Sequence, residues 1–419
     1  MNEQETCNNI YTENVERLRI TCDLLGVNEG IFRFLSKPQR TVITNFPVKM
    51  DSESIEMFEG YRVLHSNVLG PAKGGVQFTP TCSVAEMQAL AMVMTLKTSL
   101  IGLPMGGSKG GVKVEPKRLS KRELELLTRQ YTRSIFNVIG PDQDIPGPDL
   151  NVNEQVMAWM MDQYSTGIGK TTPGVVTGKP VEIGGTLGRE QAVGWGLAYI
   201  LKEYMEKEAE EIRDQKIVIQ GIGHVGKNVA ITASRYGAKI IGISDSTTGL
   251  YDEDGININD VLQWKQENGS LRDYPRANPI SNDEMLTLKC DALLPCATDS
   301  VITKDNADKV QCRVIIEGAN QPTTLDADRI IDERGISLIP DIIANAGGVT
   351  ASYFEWIQDL SSLHWDIDRV NRELGKIILT AFEKIVQMKR ENAVSYRQAA
   401  HMVAVKRLAT AIQYRGFYP

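Results

Sequence analysis

Residues 216–226 have the sequence KIVIQGIGHVG, and this stretch decides the fold of the second half of the chain. The apolar run is typical of a buried strand, and Gly221, Gly223 and Gly226 fit the G-x-G-x-x-G loop that carries a nucleotide pyrophosphate. A helix is predicted directly after the loop. A second strand follows and ends at Asp245, nineteen residues beyond the last loop glycine. This order predicts a Rossmann-type, doubly wound domain that binds a dinucleotide.

The same stretch indicates which cofactor to expect. Free amides at the start of the predicted helix, near His224 and Val225, favour an anionic pyrophosphate. A carboxylate at Asp245 would bind the adenosine ribose hydroxyls and repel the extra phosphate of NADP, so NAD is the expected cofactor. NADP stays open as an alternative, because the serines and threonines at 244 and 246–248 could hydrogen-bond a phosphate.

Three lysines in the first half of the chain indicate a second binding site. Lys73 lies in GPAKGG and Lys109 in PMGGSKGG, where glycines let the backbone approach a ligand closely. Residues 83–86, SVAE, resemble a capping box that starts an apolar helix, and this helix carries Lys97 near its end. Asp149 follows in PGPD. The four charged groups suggest a site for a small dianion.

With both sites in view, the chain resembles the glutamate dehydrogenases, within the wider family that acts on glutamate, leucine, phenylalanine and valine. The resemblance runs from about residue 30 to the C-terminus. It rests on eight segments in the same order: GPAKGG (70–75), MTLK (94–97), PMGGSKGG (104–111), PGPD (146–149), GGTLGR (184–189), the nucleotide loop (221–226), EGANQPTT (317–324) and NAGGVTAS (345–352).

The resemblance implies a role for each charged residue. Lys109 matches the catalytic lysine that polarises the carbonyl and activates a water, and Asp149 matches the acid that shuttles protons. Lys97 matches the lysine that holds the substrate α-carboxylate, and Lys73 and Ser352 match the pair that holds the far carboxylate of glutamate. The implied reaction is the reversible oxidative deamination of L-glutamate to 2-oxoglutarate and ammonium.

The resemblance further implies positions around the cofactor and an assembly. Asn320 and Asn345 match positions near the nicotinamide ribose and the substrate amino group, and Val349 matches a substrate-pocket position. The family usually forms hexamers through the first domain, so a homo-oligomer is expected.

Four positions depart from the family pattern. Gln77 stands where arginine is usual, Gly147 where alanine is usual, Val193 where a threonine commonly reaches the nicotinamide amide, and His224 where asparagine is common. These departures leave two alternatives open. One is a catalytically weak regulatory subunit in a mixed oligomer. The other is a dehydrogenase of a neutral amino acid, which Gly147 favours and Lys73 opposes.

Composition limits the partners and the location. The chain has 419 residues, of which 42% are hydrophobic and 24% charged, and its net charge of −7 argues against nucleic acid or an anionic membrane as partner. It contains no apolar run long enough to span a membrane, and Met1–Thr6 lacks a secretory signal, so a cytoplasmic enzyme is expected.

Cysteines and histidines indicate no further chemistry. The six cysteines form no C-x-x-C pair and are expected to be reduced and structural. The four histidines have no ligand spacing, so no metal is expected.

The pattern of elements predicts an α/β protein with two domains. Residues 1–185 are expected to form a mixed-sheet domain for substrate binding and oligomerisation. Residues 186–348 are expected to form the Rossmann-type nucleotide domain, and residues 349–419 to be helices that return to the first domain.

Overall fold

The computed structural model describes residues 3–417, with side chains from residue 11 onward. The chain divides into two compact units. The first runs to Leu187 and also contains Ala351–Val370 and the chain from His401 onward. The second contains Gly188–Thr350 and Asn371–Ala400.

The first unit is built around a mixed sheet. Its strands lie in the order β1-β2-β4-β3-β5, with β2 antiparallel to β1 and β4, and β3 parallel to β4 and β5. The elements up to the unit boundary are α1 (Glu3–Leu24), α2 (Glu29–Leu35), β1 (Arg40–Lys49), β2 (Ile55–Ser66), β3 (Ala72–Thr79), α3 (Val84–Leu100), β4 (Gly106–Lys113), α4 (Lys121–Ser134), β5 (Asp144–Pro148) and α5 (Glu154–Ile168).

The second unit is doubly wound. Its sheet has the order β12-β11-β10-β6-β7-β8-β9, parallel from β12 to β7 and antiparallel at β8 and β9. The elements are α6 (Ala192–Lys207), β6 (Lys216–Gln220), α7 (His224–Arg235), β7 (Lys239–Ser244), β8 (Gly249–Tyr251), α8 (Ile258–Asn268), β9 (Asn278–Ile280), α9 (Asn282–Thr287), β10 (Ala292–Pro295), β11 (Val314–Ile316), α10 (Leu325–Glu333), β12 (Ser337–Ile339) and α11 (Asp341–Ala344). The fold class predicted from the sequence is confirmed.

Three long helices, α12 (Gly347–Ser361), α13 (Ile367–Asn392) and α14 (Tyr396–Arg415), end the chain. We expected all of them to return to the first domain, but most of α13 packs with the second unit. The reason lies in its partners on α6, where Tyr199 bonds Asn371 at 2.7 Å and Lys207 bonds Glu383 at 2.6 Å. The return to the first unit is made by α12 and by the greater part of α14.

Membrane and metal features were searched within the described residues. Among residues 3–417 no helix is both long and apolar enough to cross a membrane. Among the side chains that the structure describes, no group of three or more His, Cys, Asp or Glu is arranged to hold a metal ion. Cys22, Cys82, Cys290, Cys296 and Cys312 are free thiols, and Cys7 lies outside the described side chains.

Candidate active site

The two faces of the first sheet bury different kinds of residues. Side chains alternate along a strand, so neighbouring residues of β3 point to opposite faces. Val76 and Phe78 join the apolar core that α4 and α5 complete. Lys73 and Gln77, each 3% exposed, belong to the opposite face, where α3 packs on β2. The charged residues of the candidate site are therefore buried on the face of the sheet opposite this apolar core.

Lys109 and Asp149 form an ion pair on this face. Lys109 Nζ donates to Asp149 Oδ2 at 2.5 Å, and the Leu150 amide donates to Asp149 Oδ1 at 2.8 Å. The lysine side chain is 6% exposed and the aspartate side chain 32% exposed. Gly75 makes the arrangement possible, because a Cβ atom there would lie 2.5 Å from Asp149 Oδ2. The structure thus brings together the two residues that we expected to be catalytic.

The charge on Asp149 is stabilised by its neighbours. Burial acts to raise the pKa of Asp149, but the Lys109 ammonium, the Leu150 amide and the charge of Lys97 outweigh it and hold the pKa below its usual value. Asp149 is therefore a carboxylate at neutral pH. It can accept a proton only when one of these partners moves or loses its own charge.

Helix α3 supplies the third lysine. Its N-terminus is capped by Ser83, whose side chain accepts a hydrogen bond from the Glu86 amide, so the predicted helix start is confirmed. The expected capping box is incomplete, because the Glu86 carboxyl accepts its hydrogen bond from Gln77. Lys97 lies in the last turn and is 7% exposed. Burial of a lysine is costly unless a negative group compensates it. A site that holds several buried ammonium groups is chemically suited to an anionic ligand.

Lys73 lies beside two small residues. A Cβ atom at Gly147 would lie 2.6 Å from Lys73 Nζ and 3.1 Å from Thr177 Oγ1. The Lys73 ammonium therefore occupies the space that the usual alanine methyl would need. Thr177 is fully buried, and its hydroxyl has no hydrogen-bond partner among the described residues. Ser352, on α12 in the same unit, is 4% exposed.

A buried ion pair supports these strands from the opposite face. Arg62 on β2 bonds Asp144 on β5 through Nε at 2.8 Å and Nη2 at 2.5 Å. The Ser108 hydroxyl on β4 donates to Asp144 at 2.6 Å and accepts from Arg62 at 2.8 Å. Arg62 and Asp144 are both fully buried, and removing one partner of such a pair leaves an uncompensated charge. The network ties together β2, β4 and β5 beneath the lysines.

Gln77, the first departure from the family pattern, is hydrogen-bonded to the carboxyl group of Glu86. Its Nε2 donates to Glu86 Oε1 in the first turn of α3 at 2.6 Å. An arginine at position 77 would place a positive charge beside the Glu86 carboxyl, whereas the glutamine amide there is neutral.

In the second unit, the glycine loop has the features of an anion site. Helix α7 starts at His224 without a side-chain cap, so its first amides have no partner from a capping side chain. A Cβ atom at Gly226 would lie 1.7 Å from the Gly221 carbonyl oxygen, whereas one at Gly223 would meet nothing within 4 Å. The loop is thus tightly folded at one end and open at the other, and the open end fits a pyrophosphate. The His224 side chain is 84% exposed beside Glu190.

Asp245 directly follows β7, as predicted, but both oxygens of its carboxylate already accept hydrogen bonds from other groups of the protein. One oxygen accepts from the Thr247 amide and hydroxyl and from the Thr248 amide, at 2.8, 2.6 and 3.1 Å. The other accepts from Lys265 Nζ at 2.8 Å and the Leu271 amide at 2.9 Å. Burial acts to raise the pKa of Asp245, but these hydrogen bonds hold it well below its usual value.

The remaining predicted cofactor residues also lie in the second unit. Asn345 Nδ2 donates to Asn320 Oδ1 at 2.9 Å, so the two amides form a pair. Val193 lies in the first turn of α6, where its methyl would be 3.2 Å from a Cβ atom at Gly348. Val349, the predicted substrate-pocket position, lies in the first turn of α12, whose first residues belong to this unit.

Comparison with known families agrees with this division. Residues 38–166 match the family description "Glu/Leu/Phe/Val dehydrogenase, dimerisation domain", and residues 184–416 match "Glutamate/Leucine/Phenylalanine/Valine dehydrogenase". The chain belongs to the Glu/Leu/Phe/Val dehydrogenase family. This dehydrogenase carries the lysine site in the first matched part and the glycine loop in the second.

Individual relatives cover nearly the whole dehydrogenase. It is 43% identical to a glutamate dehydrogenase of Thermotoga maritima, over 98% of this chain and 99% of the relative. It is 39% identical to an NAD-specific glutamate dehydrogenase of Clostridioides difficile, over 98% and 99%. Among solved structures, the leucine-bound hetero-hexameric glutamate dehydrogenase of Thermus thermophilus superposes with a TM-score of 0.92 at 36% identity, over 98% of each chain.

Sequence reasoning missed three contributors to the dehydrogenase site. Thr177 and the Arg62–Asp144 pair lie in no motif with a recognisable chemical signature, and the motif that contains Glu86 indicated only a helix start. For Arg62 the alternation of residues along β2 could have indicated a role, because it places a charged residue on the core face, where the charge needs a buried partner. Thr177 and Glu86 gave no such signal, since threonine and glutamate are ordinary residues of loops and helix starts.

Proposed function

We propose that this chain catalyses the reversible oxidative deamination of L-glutamate to 2-oxoglutarate and ammonium, with NAD as hydride acceptor. The observation that carries the proposal is the buried lysine face of the first sheet, with Lys109 paired to Asp149 at 2.5 Å. Relatives named glutamate dehydrogenase support the substrate, and the relative from Clostridioides difficile is named NAD-specific.

Each end of the substrate has a matching cation in this proposal. Lys97 holds the α-carboxylate. Lys73 holds the far carboxylate, with Ser352 and the unpartnered hydroxyl of Thr177 as further hydrogen-bond donors. A neutral side chain would offer the Lys73 ammonium no carboxylate, so the charge-assisted hydrogen bonds that glutamate makes there would be lost. The site therefore selects a dicarboxylate.

The Lys109–Asp149 pair moves the protons. NAD, when bound, accepts the hydride from the substrate α-carbon. Before that step the substrate ammonium must lose a proton, which Asp149 Oδ2 can accept as its bond to Lys109 loosens. Lys109, after it releases its own proton to solvent and becomes a neutral amine, orients the water and takes a proton from it as the water adds to the imine carbon. The proton returns through Asp149 to the nitrogen that leaves as ammonia.

The second unit fits a dinucleotide in this proposal. The uncapped α7 and the open Gly223 would hold the pyrophosphate, and the Asn320–Asn345 amides lie on the same unit for the nicotinamide ribose. The assembly that we propose is a hexamer, because a solved relative is described as hetero-hexameric. A homo-hexamer is the simplest form for a chain that holds a complete lysine site.

The two alternatives have less support. A weak regulatory subunit would be expected to have lost part of the acid–base pair, yet Lys109 and Asp149 are in direct contact. A dehydrogenase of a neutral amino acid would be expected to have an apolar residue in place of Lys73. The space beside Gly147 is occupied by the Lys73 ammonium, so it does not enlarge the pocket for a neutral side chain.

The test is the initial rate of NAD and NADP reduction by the purified chain with glutamate, leucine, valine and phenylalanine. We expect turnover of glutamate with NAD. Lys73→Leu should lower kcat/KM for glutamate by about 10²- to 10³-fold, because removing one partner of a buried charge pair costs roughly 3–4 kcal/mol. Turnover of the neutral amino acids should not fall in parallel.

The matched control is Lys113→Leu. Lys113 is an exposed lysine at the end of β4, so this variant removes the same charge from the same face of the sheet at a position that solvent screens. It should keep the kinetics of the parent chain. Unchanged glutamate kinetics in Lys73→Leu would refute the dicarboxylate site, and silence of the parent chain with every substrate would favour the regulatory subunit.

A further inference from the structure

A carboxyl group outside the assigned acid–base pair lies in the wall of the lysine site. Glu86 is in the first turn of α3, the helix that carries Lys97 in its last turn. Its Oε1 accepts a hydrogen bond from the buried amide of Gln77 at 2.6 Å. Its Oε2 is buried and has no hydrogen-bond partner among the described residues. A buried carboxylate oxygen without a partner is unusual and calls for an explanation.

The strand register places this carboxyl close to the acid–base pair. Gln77 on β3 opposes Gly111 on β4, two residues from Lys109 on the same face. Gly75, two residues before Gln77 and also on that face, is the position against which Asp149 packs. The Gln77 side chain that holds Glu86 therefore lies on the same face of the sheet as Lys109 and as the Gly75 position that contacts Asp149.

The charges around Glu86 come from each element that faces it. Lys109 acts from β4 and Asp149 from the segment after β5, while Gln77 on β3 donates a hydrogen bond and the Ser83 backbone at the helix cap also favours the charged carboxyl. Burial raises the pKa of Glu86 above its usual value, against the opposing effects of Gln77 and Lys109. The amide of Gln77 is neutral, so it holds the carboxyl in place without compensating its charge.

We propose that Glu86 is a positioning residue for the Lys109–Asp149 pair, and that Gln77 keeps its carboxyl uncompensated so that its charge sets where the pair holds its proton. This inference rests on the proposed function. An ionised Glu86 stabilises the protonated ammonium of Lys109 and disfavours a second negative charge on Asp149. A neutral Glu86 removes both effects. Arginine at position 77, the residue usual in the family, would place a cation directly on this carboxyl.

The experiment compares Glu86→Gln and Gln77→Arg with the parent chain. Both variants reduce the negative charge near Lys109, the first by removing the carboxylate and the second by compensating it. We expect the acidic limb of the kcat/KM profile for glutamate to move to lower pH by roughly one unit, the size of a single uncompensated charge in a partly buried site. At the pH optimum the KM for glutamate should change by less than about threefold, because the carboxylate-binding lysines are untouched.

A second readout does not require turnover. Lysine reacts with formaldehyde and borohydride only as the neutral amine. The extent of reductive methylation of Lys109 at each pH, measured by peptide mass spectrometry, therefore reports the fraction of Lys109 that is deprotonated. In both variants Lys109 should become reactive at lower pH than in the parent chain, while Lys113 in the same digests should not change.

The control variant is Glu154→Gln. Glu154 is an exposed acid in the first turn of α5, so it has the same place in its helix but is screened by solvent. Its profiles should superimpose on those of the parent chain. Unshifted activity and labelling profiles in Gln77→Arg, which keeps the carboxyl in place, would overturn the inference even if Glu86→Gln misfolds. A parent chain that does not oxidise glutamate refutes the proposed function instead, and the labelling profiles then still decide the role of Glu86.

Discussion

Asp149 and Asp245 were both predicted to meet a ligand, and both follow a strand end, yet their surroundings differ. Asp149 has one lysine and one backbone amide as hydrogen-bond partners, and a third of its side chain, 32%, is exposed. Asp245 accepts hydrogen bonds from five donors and its side chain is 6% exposed. The first acid has accessible carboxylate surface for chemistry, whereas the second organises the loops around it.

The difference lies in where the donors come from. The lysine partner of Asp149 comes from β4, which β3 separates from β5, and the carboxylate is fixed without being enclosed. The donors of Asp245 come from the turn that follows it and from Lys265 and Leu271 at the end of α8 and just beyond. Lys265 also compensates the charge of Asp245, which weakens the repulsion that would exclude the extra phosphate of NADP. A strand-end acid at the right spacing is thus a weaker indicator of NAD preference than the sequence suggested.

The largest effect that would sharpen this comparison is expected from Asp149→Asn. The amide keeps the shape of the side chain but cannot accept the proton, so kcat for glutamate oxidation should fall by about 10²- to 10⁴-fold. The melting temperature should fall less than in a variant of the fully buried Arg62–Asp144 pair, because Asp149 is partly exposed, although Lys109 loses its counter-charge. Initial rates and thermal unfolding measure the two quantities. A kcat within tenfold of the parent value would show that Asp149 is not the proton acceptor.

Asp245→Asn should have the opposite profile. Replacing the carboxylate puts an amide donor against several donors, so the free energy of unfolding should fall by about 1–3 kcal/mol. Because the folded-state pKa of Asp245 is lowered, its ionised form contributes stability above the unfolded-state pKa of about 4, and this contribution is lost as the pH falls through and below that value. The gap between variant and parent should therefore narrow in acid.

Denaturant unfolding at pH 7 and at pH 3.5 measures that gap, and kcat at saturating NAD serves as the internal control. A variant that is as stable as the parent chain but binds NAD much more weakly would reverse the assignment, and Asp245 would then be a ribose ligand after all.

The sequence predicted the elements better than their contacts. The strands β6 and β7 and the cap at Ser83 follow from short patterns, and the structure confirms them within one or two residues. The donors to Asp245 could not be predicted, because Lys265 is twenty residues away and on a different element. The same limit applies to Arg62 and Asp144, which are 82 residues apart and meet only through the strand order β2-β4-β3-β5.

The site residues divide in the same way. Glycine-flanked lysines are conspicuous in a sequence because both residue types are rare in buried strands. Thr177 beside Lys73, and Glu86 beside Gln77, become visible only when the sheet register brings their elements together. Local pattern therefore indicates which residues carry charge to the site, and tertiary structure decides which neighbours tune that charge.

The smallest effect, and the finest test of the comparison, is expected from Lys265→Met. This change removes the cation that compensates Asp245 while keeping the length of the side chain, so the carboxylate should repel the 2′-phosphate of NADP more strongly. The ratio of kcat/KM with NADP to that with NAD should fall by roughly 3- to 10-fold, the size expected for one partly exposed charge, and the fall should diminish at high salt. Lys202→Met, on the exposed side of α6, is the matched control and should leave the ratio unchanged. A ratio that rises instead would mean that Asp245 does not face the adenosine ribose, and that Lys265 acts only in holding the loop.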